Sequence, residues 1–218
     1  MANLGRELAL ILDMDGVIID SNPIHRRVWA EYNRRFGIET DEGMQQRMYG
    51  RRNDEIVRDF FGSHLTDEEV RAHGAAKERL YRETIRPAIQ EALVPGVREF
   101  LERHRGQPIG LATNAEPANV EFMLEAAHLR EHFRAVVDGH QVPHPKPHPD
   151  IYLRAAELLG AEPGDCVVFE DSRTGIEAAR AAGMVVVGLR TTHEELRGVD
   201  LEIRDFNSPE LEPWLANR

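Results

Sequence analysis

Short apolar runs alternate with helical patterns along most of the chain. The runs are rich in Val, Ile and Leu and too short for helices, which is typical of strands buried on both faces. They are ELALILD from residue 7, PIGLAT from 108, RAVVD from 134, DCVVFED from 165 and MVVVGL from 184. Strands that alternate with helices in this way predict an α/β fold, a mostly parallel sheet covered by helices on both faces.

Between the first two strands the pattern is helical throughout, with no convincing strand from residue 20 to residue 94. Helices are predicted at about 23–36, 41–86, 97–105, 117–127, 149–159 and 174–182, and the second is broken near Gly50, Gly62 and Thr66. We therefore predict an α/β core of residues 1–20 and 94–218 with an inserted all-α domain of residues 21–93.

The charge pattern follows the same division. The 218 residues include 27 Lys+Arg and 38 Asp+Glu, a net charge of −11. Residues 21–93 hold 13 basic and 13 acidic side chains, so the remainder carries all of the negative charge. A chain this acidic is not expected to bind nucleic acid through a basic surface.

Other features of the sequence limit where the protein is expected to be located and what it is expected to bind. The longest apolar run, Leu8–Leu12, is too short to cross a membrane, and no signal peptide is recognised. The single cysteine, Cys166, excludes an internal disulfide framework and a cysteine-based zinc site, which fits a cytoplasmic protein. No membrane association and no obligate protein partner are predicted.

Polar side chains follow the strands at their carboxyl ends. Asp13 and Asp15 follow the first strand, Thr113 and Asn114 the second, Lys146 the third, and Glu170 and Asp171 the fourth. Because the carboxyl ends of parallel strands meet at one edge of a sheet, we expect these side chains to gather there. Lys146 is one of only two lysines among the 27 basic residues, the other being Lys77 in a polar helical run, where an ordinary structural lysine is the simpler interpretation.

Carboxylates that cluster in this way repel one another, and the usual remedy is a hard cation with oxygen ligands. Asp13 and Asp171 are natural ligands for Mg²⁺, with Glu170 as a third candidate. Lys146 is suited to hold an anionic oxygen, and Gly16 permits a tight turn behind the acids. A carboxylate nucleophile, a neighbouring acid, a metal, a cation and a hydroxyl together suit phosphoryl transfer. Each feature alone also has an ordinary structural explanation, so their order and placement carry the interpretation.

That order resembles the haloacid dehalogenase superfamily of phosphatases and phosphomutases, most closely its β-phosphoglucomutase-like subgroup. Its four motifs match Asp13-Met14-Asp15-Gly16-Val17, Thr113, Lys146-Pro147 and Glu170-Asp171. The resemblance covers almost the whole chain. It implies a Rossmann-like core and identifies the helical insert with the family's cap domain.

The resemblance implies a role for each motif residue. Asp13 would attack phosphorus and form an aspartyl-phosphate, and Asp15 would protonate the leaving oxygen and later activate water. Thr113 and the backbone N–H of Asn114 would hold the phosphoryl oxygens, while Lys146 would balance their charge.

The cofactor implied is Mg²⁺. It would be held by Asp13, by the backbone carbonyl of Asp15 and by Asp171, with Glu170 bound directly or through water.

Substrate choice is expected from the cap. His25 matches a histidine that the mutase subgroup uses near its active site, although an ordinary, partly buried histidine is an equal alternative. Gly50, Arg51 and Arg52 lie in what looks like the substrate-contacting loop. The two arginines present forked donors suited to a phosphate or a sugar acid, and a solvated basic surface is the alternative.

One departure from the family pattern bears on the reaction. Mutases place a lysine before that glycine and an arginine three residues after it, whereas this chain has Tyr49 and Asn53. We therefore favour a Mg²⁺-dependent phosphatase that hydrolyses a small phosphorylated metabolite of the sugar phosphate type. A β-phosphoglucomutase-type phosphomutase remains the first alternative. A phospho-accepting switch domain, with Asp13 phosphorylated as a signal, is a second alternative that Asp15 and the helical insert oppose.

Overall fold

A computed structural model of the chain describes residues 7–48 and 51–218. In these residues one six-stranded sheet has the order β3-β2-β1-β4-β5-β6, with every neighbouring pair parallel. The strands are β1 (Ala9–Leu12), β2 (Ile109–Thr113), β3 (Ala135–Asp138), β4 (Cys166–Glu170), β5 (Val185–Leu189) and β6 (Leu201–Ile203).

The strand order reverses at β1. The chain runs outward from β1 through β2 to β3, and then crosses to β4 on the other side of β1. Leu12 of β1 is paired with Leu111 of β2 and with Phe169 of β4. Parallel sheets bind ligands in the crevice that such a reversal opens at the carboxyl ends of the strands. The end of β1 is therefore the place to look for a site.

Alternate residues of β1 enter two separate cores. Leu10 and Leu12 belong to the core on one face, and Ala9 and Ile11 to the core on the other. Burial on both faces explains why this strand is apolar without interruption. The first core also contains residues of α5 (Val97–Arg103), α6 (Pro117–Ala126) and α9 (Leu211–Ala216), and the second contains residues of α7 (Asp150–Leu159) and α8 (Arg173–Ala181).

Four helices, here called the cap, lie between β1 and α5. They are α1 (Asn22–Arg34), α2 (Glu42–Arg47), α3 (Asn53–Phe61) and α4 (Asp67–Ile85). The cap has an apolar cluster of its own, in which Trp29, Ile56 and Phe60 are buried. At the start of α4, Thr66 and Glu69 form a capping box, as their spacing predicts.

The chain enters and leaves the cap through two adjacent segments. The backbone N–H of Asp20 donates to the carbonyl of Ala92 at 2.7 Å, and that of Val94 donates to the carbonyl of Ile18 at 3.0 Å. The predicted domain boundaries, at 20/21 and 93/94, fall at this crossing. They remain a prediction.

Two short elements escaped the sequence pattern. The strand β6 has three residues within the charged segment VDLEIRD, too few to show an alternation, and α9 is a helix of six residues near the C-terminus. No helix in the described part of the chain is long and apolar enough to cross a membrane.

Candidate active site

The end of β1 carries a buried ion cluster centred on Lys146. Its Nζ donates to Oδ1 of Asp13 at 2.6 Å, to Oε1 of Glu170 at 2.7 Å and to the carbonyl of Ala112 at 3.0 Å. An ammonium has three protons, so each proton has an acceptor. Asp13 is 7% exposed and Lys146 6%. A planar guanidinium presents its donors in a different geometry, which is a physical reason for a lysine in this arginine-rich chain.

Glu170 orients this lysine. Its Oε1 also accepts from the hydroxyl of Tyr152 at 2.8 Å, and its Oε2 accepts from the backbone N–H of Asp171 and from the N–H and hydroxyl of Ser172 at 2.9–3.0 Å. Burial alone would raise the pKa of Glu170, but Lys146 and these donors hold it below its usual value. Both oxygens are thus engaged, which favours the water-mediated form of the metal role predicted for Glu170. That role remains a prediction.

Two glycines make room for the acids. A Cβ on Gly175 would lie 1.7 Å from Oε1 of Glu170, and a Cβ on Gly16 would lie 1.8 Å from Oδ2 of Asp171. Gly16 also has φ +80°, in the left-handed region that favours glycine. Glycine is therefore favoured in the turn behind Asp13 and Asp15 for two reasons, the positive φ of Gly16 and the lack of room for a Cβ beside Asp171.

Asp171 completes a surplus of negative charge. Asp13, Glu170 and Asp171 each have a carboxylate oxygen within 4.8 Å of a carboxylate oxygen of the other two. Burial raises the pKa of Asp13 to about 7, with Lys146 offsetting part of the effect, and burial with Glu170 and Asp13 nearby raises that of Asp171 well above its usual value. Three carboxylates against one ammonium form an oxygen donor set that fits a hard divalent cation.

Hydroxyls from a later loop hold Asp171 in place. Thr192 donates its hydroxyl proton to Oδ2 of Asp171, and Asn22 of the cap donates to Oγ1 of Thr192 at 2.5 Å. Thr191 donates to the carbonyl of Gly16 at 2.5 Å. The loop after β5 therefore ties the acid to the turn after β1 and to the first cap helix.

Asp15 faces the cap rather than Lys146. Ser21 donates to its Oδ1 at 2.5 Å, and Nε2 of His25 lies 3.6 Å from the same oxygen. Because Lys77 donates to Nδ1 of His25 at 2.8 Å, the proton of a neutral ring lies on Nε2 and points to Asp15. Burial alone would raise the pKa of Asp15, but His25 and Ser21 hold it below its usual value.

One cavity joins this edge of the sheet to the cap. The predicted residues in its wall are Asp13, Asp15, His25, Arg51, Thr113, Asn114, Lys146, Glu170 and Asp171. Thr113 is 1% exposed and accepts from the backbone N–H of Ala115 at 3.1 Å, while Oδ1 of Asn114 accepts from the backbone N–H of Lys146 at 3.3 Å. The strand-end residues are therefore brought together, while their individual roles remain predictions.

The predicted cap residues differ in placement. His25 and Arg51 line the cavity. Arg52 is not part of the wall that the described residues form, and its Nε lies 3.7 Å from Oδ1 of Asp54. Gly50 lies outside the described residues.

A match to a known protein family identifies the family of this chain. Residues 8–183 match the family model of haloacid dehalogenase-like hydrolases. The chain belongs to the haloacid dehalogenase-like hydrolase family. The predicted superfamily, the α/β fold with a helical insert and the enzyme class, a hydrolase, are confirmed.

The proteins that are similar to this chain include a phosphatase and a phosphomutase. Fructose-1-phosphate phosphatase YqaB of Escherichia coli (strain K12) is 35% identical over 187 residues, which cover 85% of this chain and 97% of that protein. Beta-phosphoglucomutase of Bacillus subtilis (strain 168) is 31% identical over 209 residues, covering 94% and 92%. The crystal structure of beta-phosphoglucomutase from Clostridium difficile superimposes with a TM-score of 0.86 at 25% identity, covering 97% and 98%.

Outside the family's motifs, a second buried ion pair lines the same cavity. Glu78 of α4 accepts from Lys77 at 2.7 Å, from Asn53 at 2.7 Å and from Asn119 of α6 at 2.6 Å. The sequence pattern assigned no role to Glu78 or Asn119, favoured an ordinary structural lysine at Lys77, and marked Asn53 only as a departure from the mutase pattern. The one available signal was Lys77, the second of two lysines.

Proposed function

We propose that the protein is a Mg²⁺-dependent phosphatase that hydrolyses a small phosphate monoester of the sugar phosphate type through an aspartyl-phosphate on Asp13. The observation that carries this proposal is the buried carboxylate of Asp13 at the switch point of the sheet, with Lys146 at 2.6 Å and two further acids beside it. The fructose-1-phosphate phosphatase among the relatives supports the substrate class.

The first half of the reaction uses Asp13 and Asp15. An oxygen of Asp13 forms a bond to phosphorus while the bond from phosphorus to the leaving oxygen breaks. Asp15 must first take up a proton from solvent, against the lowered pKa of its carboxyl, and it then gives that proton to the leaving oxygen, so a neutral alcohol leaves. Thr113 and the backbone N–H of Asn114 donate to the phosphoryl oxygens, and Lys146 offsets their charge.

The second half needs Asp15 as a base. As a carboxylate, it takes a proton from the water that attacks phosphorus, and the bond between phosphorus and Asp13 breaks to give inorganic phosphate. His25 and Ser21, which keep the pKa of Asp15 below its usual value, favour this deprotonated form. The environment of Asp15 thus assists the second half of the reaction.

Asp13, Asp171 and the backbone carbonyl of Asp15 would hold Mg²⁺. When bound, the ion would supply positive charge that lets an anionic carboxylate approach an anionic phosphoryl group. The surplus of acids over ammonium at this edge of the sheet supports such a cation.

A phosphomutase is the second candidate, supported by the beta-phosphoglucomutase relative. A mutase must bind a second phosphate at the cap while the first one reacts. Asn53 stands where mutases carry an arginine, and its amide donates to Glu78 at 2.7 Å. This weakens the mutase candidate.

A phosphate-release screen over sugar phosphates, nucleotides and 2-phosphoglycolate, with and without Mg²⁺, tests the proposal. We expect rapid, Mg²⁺-dependent release from one or more sugar phosphates. Conversion of β-glucose 1-phosphate that needs a bisphosphate primer, without net phosphate release, would instead establish the mutase. Stable phosphorylation of Asp13 without turnover would favour the switch domain. The cytoplasmic location and the lack of an obligate partner remain predictions.

A further inference from the structure

Six polar residues of the cavity wall, contributed by α3, α4, α6 and the residues just before α3 and α6, are here called the far end. It comprises Arg51, Asn53, Lys77, Glu78, Glu116 and Asn119. These residues include two cations and two carboxylates. The far end therefore has no formal charge to offer an anion, in contrast to the surplus of acids beside Asp13.

The positive charge of Lys77 is already satisfied within the protein. Its Nζ lies 2.7 Å from Oε1 of Glu78 and 2.8 Å from Nδ1 of His25, and 4.9 Å from the centre of the Trp29 ring. Lys77 is 1% exposed and Glu78 4%. Burial alone would raise the pKa of Glu78, but Lys77 and His25 lower it to about 2, so the carboxylate is charged at neutral pH.

The other cation of the far end is also paired. Nη1 of Arg51 lies 3.1 Å from Oδ2 of Asp59, and its Nε lies 3.6 Å from Oε2 of Glu55. Glu116 adds a carboxylate, with Nε2 of His140 at 3.1 Å. Among residues 7–48 and 51–218, the far end thus has no lysine or arginine without an acidic partner.

We propose that the buried Lys77–Glu78 pair makes the far end select a neutral, hydroxyl-rich leaving group and reject one that carries a second phosphate. This inference rests on the proposed function and names its substrate class more narrowly. A second phosphate brings about two negative charges, and at the far end it meets Glu78 and Glu116. Placing like charges together opposes binding, because the far end holds no unpaired cation that would compensate.

Hydroxyl groups fit the same surface without conflict. A hydroxyl both donates and accepts, and the far end presents carboxylate oxygens on Glu116 and the half-buried side-chain amide of Asn53. A sugar or polyol can therefore exchange its water contacts for protein contacts, whereas a phosphate dianion loses hydration and gains no unpaired cation.

The test compares matched substrates that differ by one phosphate at the far end. Phosphate release is measured for fructose 1-phosphate and fructose 1,6-bisphosphate, and for glucose 1-phosphate and glucose 1,6-bisphosphate. We expect kcat/KM to be higher for the better monophosphate than for its bisphosphate by about a hundredfold, the size that like-charge juxtaposition produces. The difference should lie mainly in KM, because the reacting phosphate is the same.

A charge-removing variant then tests the ion pair itself. Glu78→Gln keeps the size of the side chain and releases the charge of Lys77, so the preference should fall to about tenfold or less. Glu83→Gln is the matched control, since Glu83 is exposed on the same helix and the substitution changes the net charge equally. Should Glu78→Gln fail to fold, Glu116→Gln removes a carboxylate at a side chain that is 37% exposed and should shift the preference in the same direction.

The outcomes separate this inference from the function on which it rests. A bisphosphate hydrolysed as well as its monophosphate overturns the inference and leaves the phosphatase in place. An unchanged preference in folded Glu78→Gln, or in Glu116→Gln if the former does not fold, also overturns it. No phosphate from any sugar phosphate overturns the proposed function, and the inference with it.

Discussion

The two lysines of this chain line different parts of one cavity, and their surroundings can be compared. Lys146 is buried against Asp13 and Glu170, at the carboxyl edge of the sheet. Lys77 is buried against Glu78, where the cap meets α6. Each also lies within 5 Å of the centre of an aromatic ring, 4.8 Å for Lys146 and 4.9 Å for Lys77.

The two surroundings differ in charge balance. Around Lys146 three carboxylates face one ammonium, which leaves negative charge for a metal ion to neutralise. Around Lys77 the single carboxylate of Glu78 matches the ammonium, which leaves nothing for a second anion. In our proposals the same residue pair, a buried Lys with a Glu, takes part in the reaction beside Asp13 and in substrate selection beside α6. The number of carboxylates around each lysine distinguishes these two proposed roles.

Removing the nucleophile should have the largest effect. Asp13→Asn cannot form the acyl phosphate and is a poorer metal ligand, so phosphate release should fall by at least about ten-thousandfold. Circular dichroism should show an unchanged fold. Asp67→Asn, an exposed position at the start of α4, is the matched control and should retain activity. Activity of Asp13→Asn within about tenfold of the wild type would contradict the covalent mechanism.

Removing the metal ion tests the excess of carboxylates around Lys146. EDTA should lower turnover by about a thousandfold, because the acids then repel the anionic phosphoryl group. Mg²⁺ should restore it and Ca²⁺ should not, since Ca²⁺ takes more ligands at longer distances and would engage both oxygens of Asp13. Full turnover in EDTA, or with Ca²⁺ alone, would refute the metal assignment.

Removing Lys146 should impair every substrate to a similar extent. Lys146→Ala leaves Asp13 and Glu170 without their buried cation and withdraws positive charge from the transferring group, so kcat/KM should fall by roughly a hundred- to a thousandfold. The readout is the ratio of the losses on the best sugar phosphate and on a small aryl phosphate. A loss confined to the sugar phosphate would assign Lys146 to substrate recognition instead.

The stability of the folded protein at acidic pH tests the Lys77–Glu78 pair. The pKa of Glu78 falls from 4.5 to about 2 on folding. The stabilisation that it provides is therefore fully present above about pH 4.5 and is lost as the pH falls toward 2. It amounts to at most about 3 kcal/mol.

Glu78→Gln isolates this contribution. The difference in free energy of unfolding between the wild type and this variant should narrow between about pH 6 and about pH 3. Urea denaturation at both pH values measures it, with Glu83→Gln as the control that should show no such change. A constant difference would mean that Glu78 is not held as a charged partner of Lys77.

The two surroundings also differ in how far the sequence predicts them. Asp13, Thr113 and Glu170 each close an apolar run, so the strand pattern alone places them at one edge of the sheet. Their placement in the wall of one cavity agrees with that expectation.

The surroundings of Lys77 escape such reasoning. Glu78 meets Asn53 across 25 positions of the chain and Asn119 across 41. These contacts depend on how α4 packs against α3 and α6, which helical periodicity does not determine. The hydroxyl of Thr192, which reaches Asp171 from the loop after β5, was missed for the same reason.

The smallest effects are expected at the two cap arginines. Arg51 lines the cavity, and its contacts with Asp59, Glu55 and the carbonyl of Arg47 use Nη1 and Nε. Within residues 7–48 and 51–218 no contact engages Nη2, so Nη2 can donate to a substrate hydroxyl while the guanidinium charge stays paired with Asp59 and Glu55. Arg51→Ala should therefore lower kcat/KM for the best sugar phosphate by about tenfold and leave a small aryl phosphate nearly unchanged. Arg52→Ala, whose side chain lies beside Asp54 and outside the described wall, should stay within about twofold on both substrates. Equal losses on both substrates for Arg51→Ala would place it outside substrate recognition. A larger loss for Arg52→Ala than for Arg51→Ala would mean that the loop rearranges when substrate binds, with Arg52 turned into the cavity.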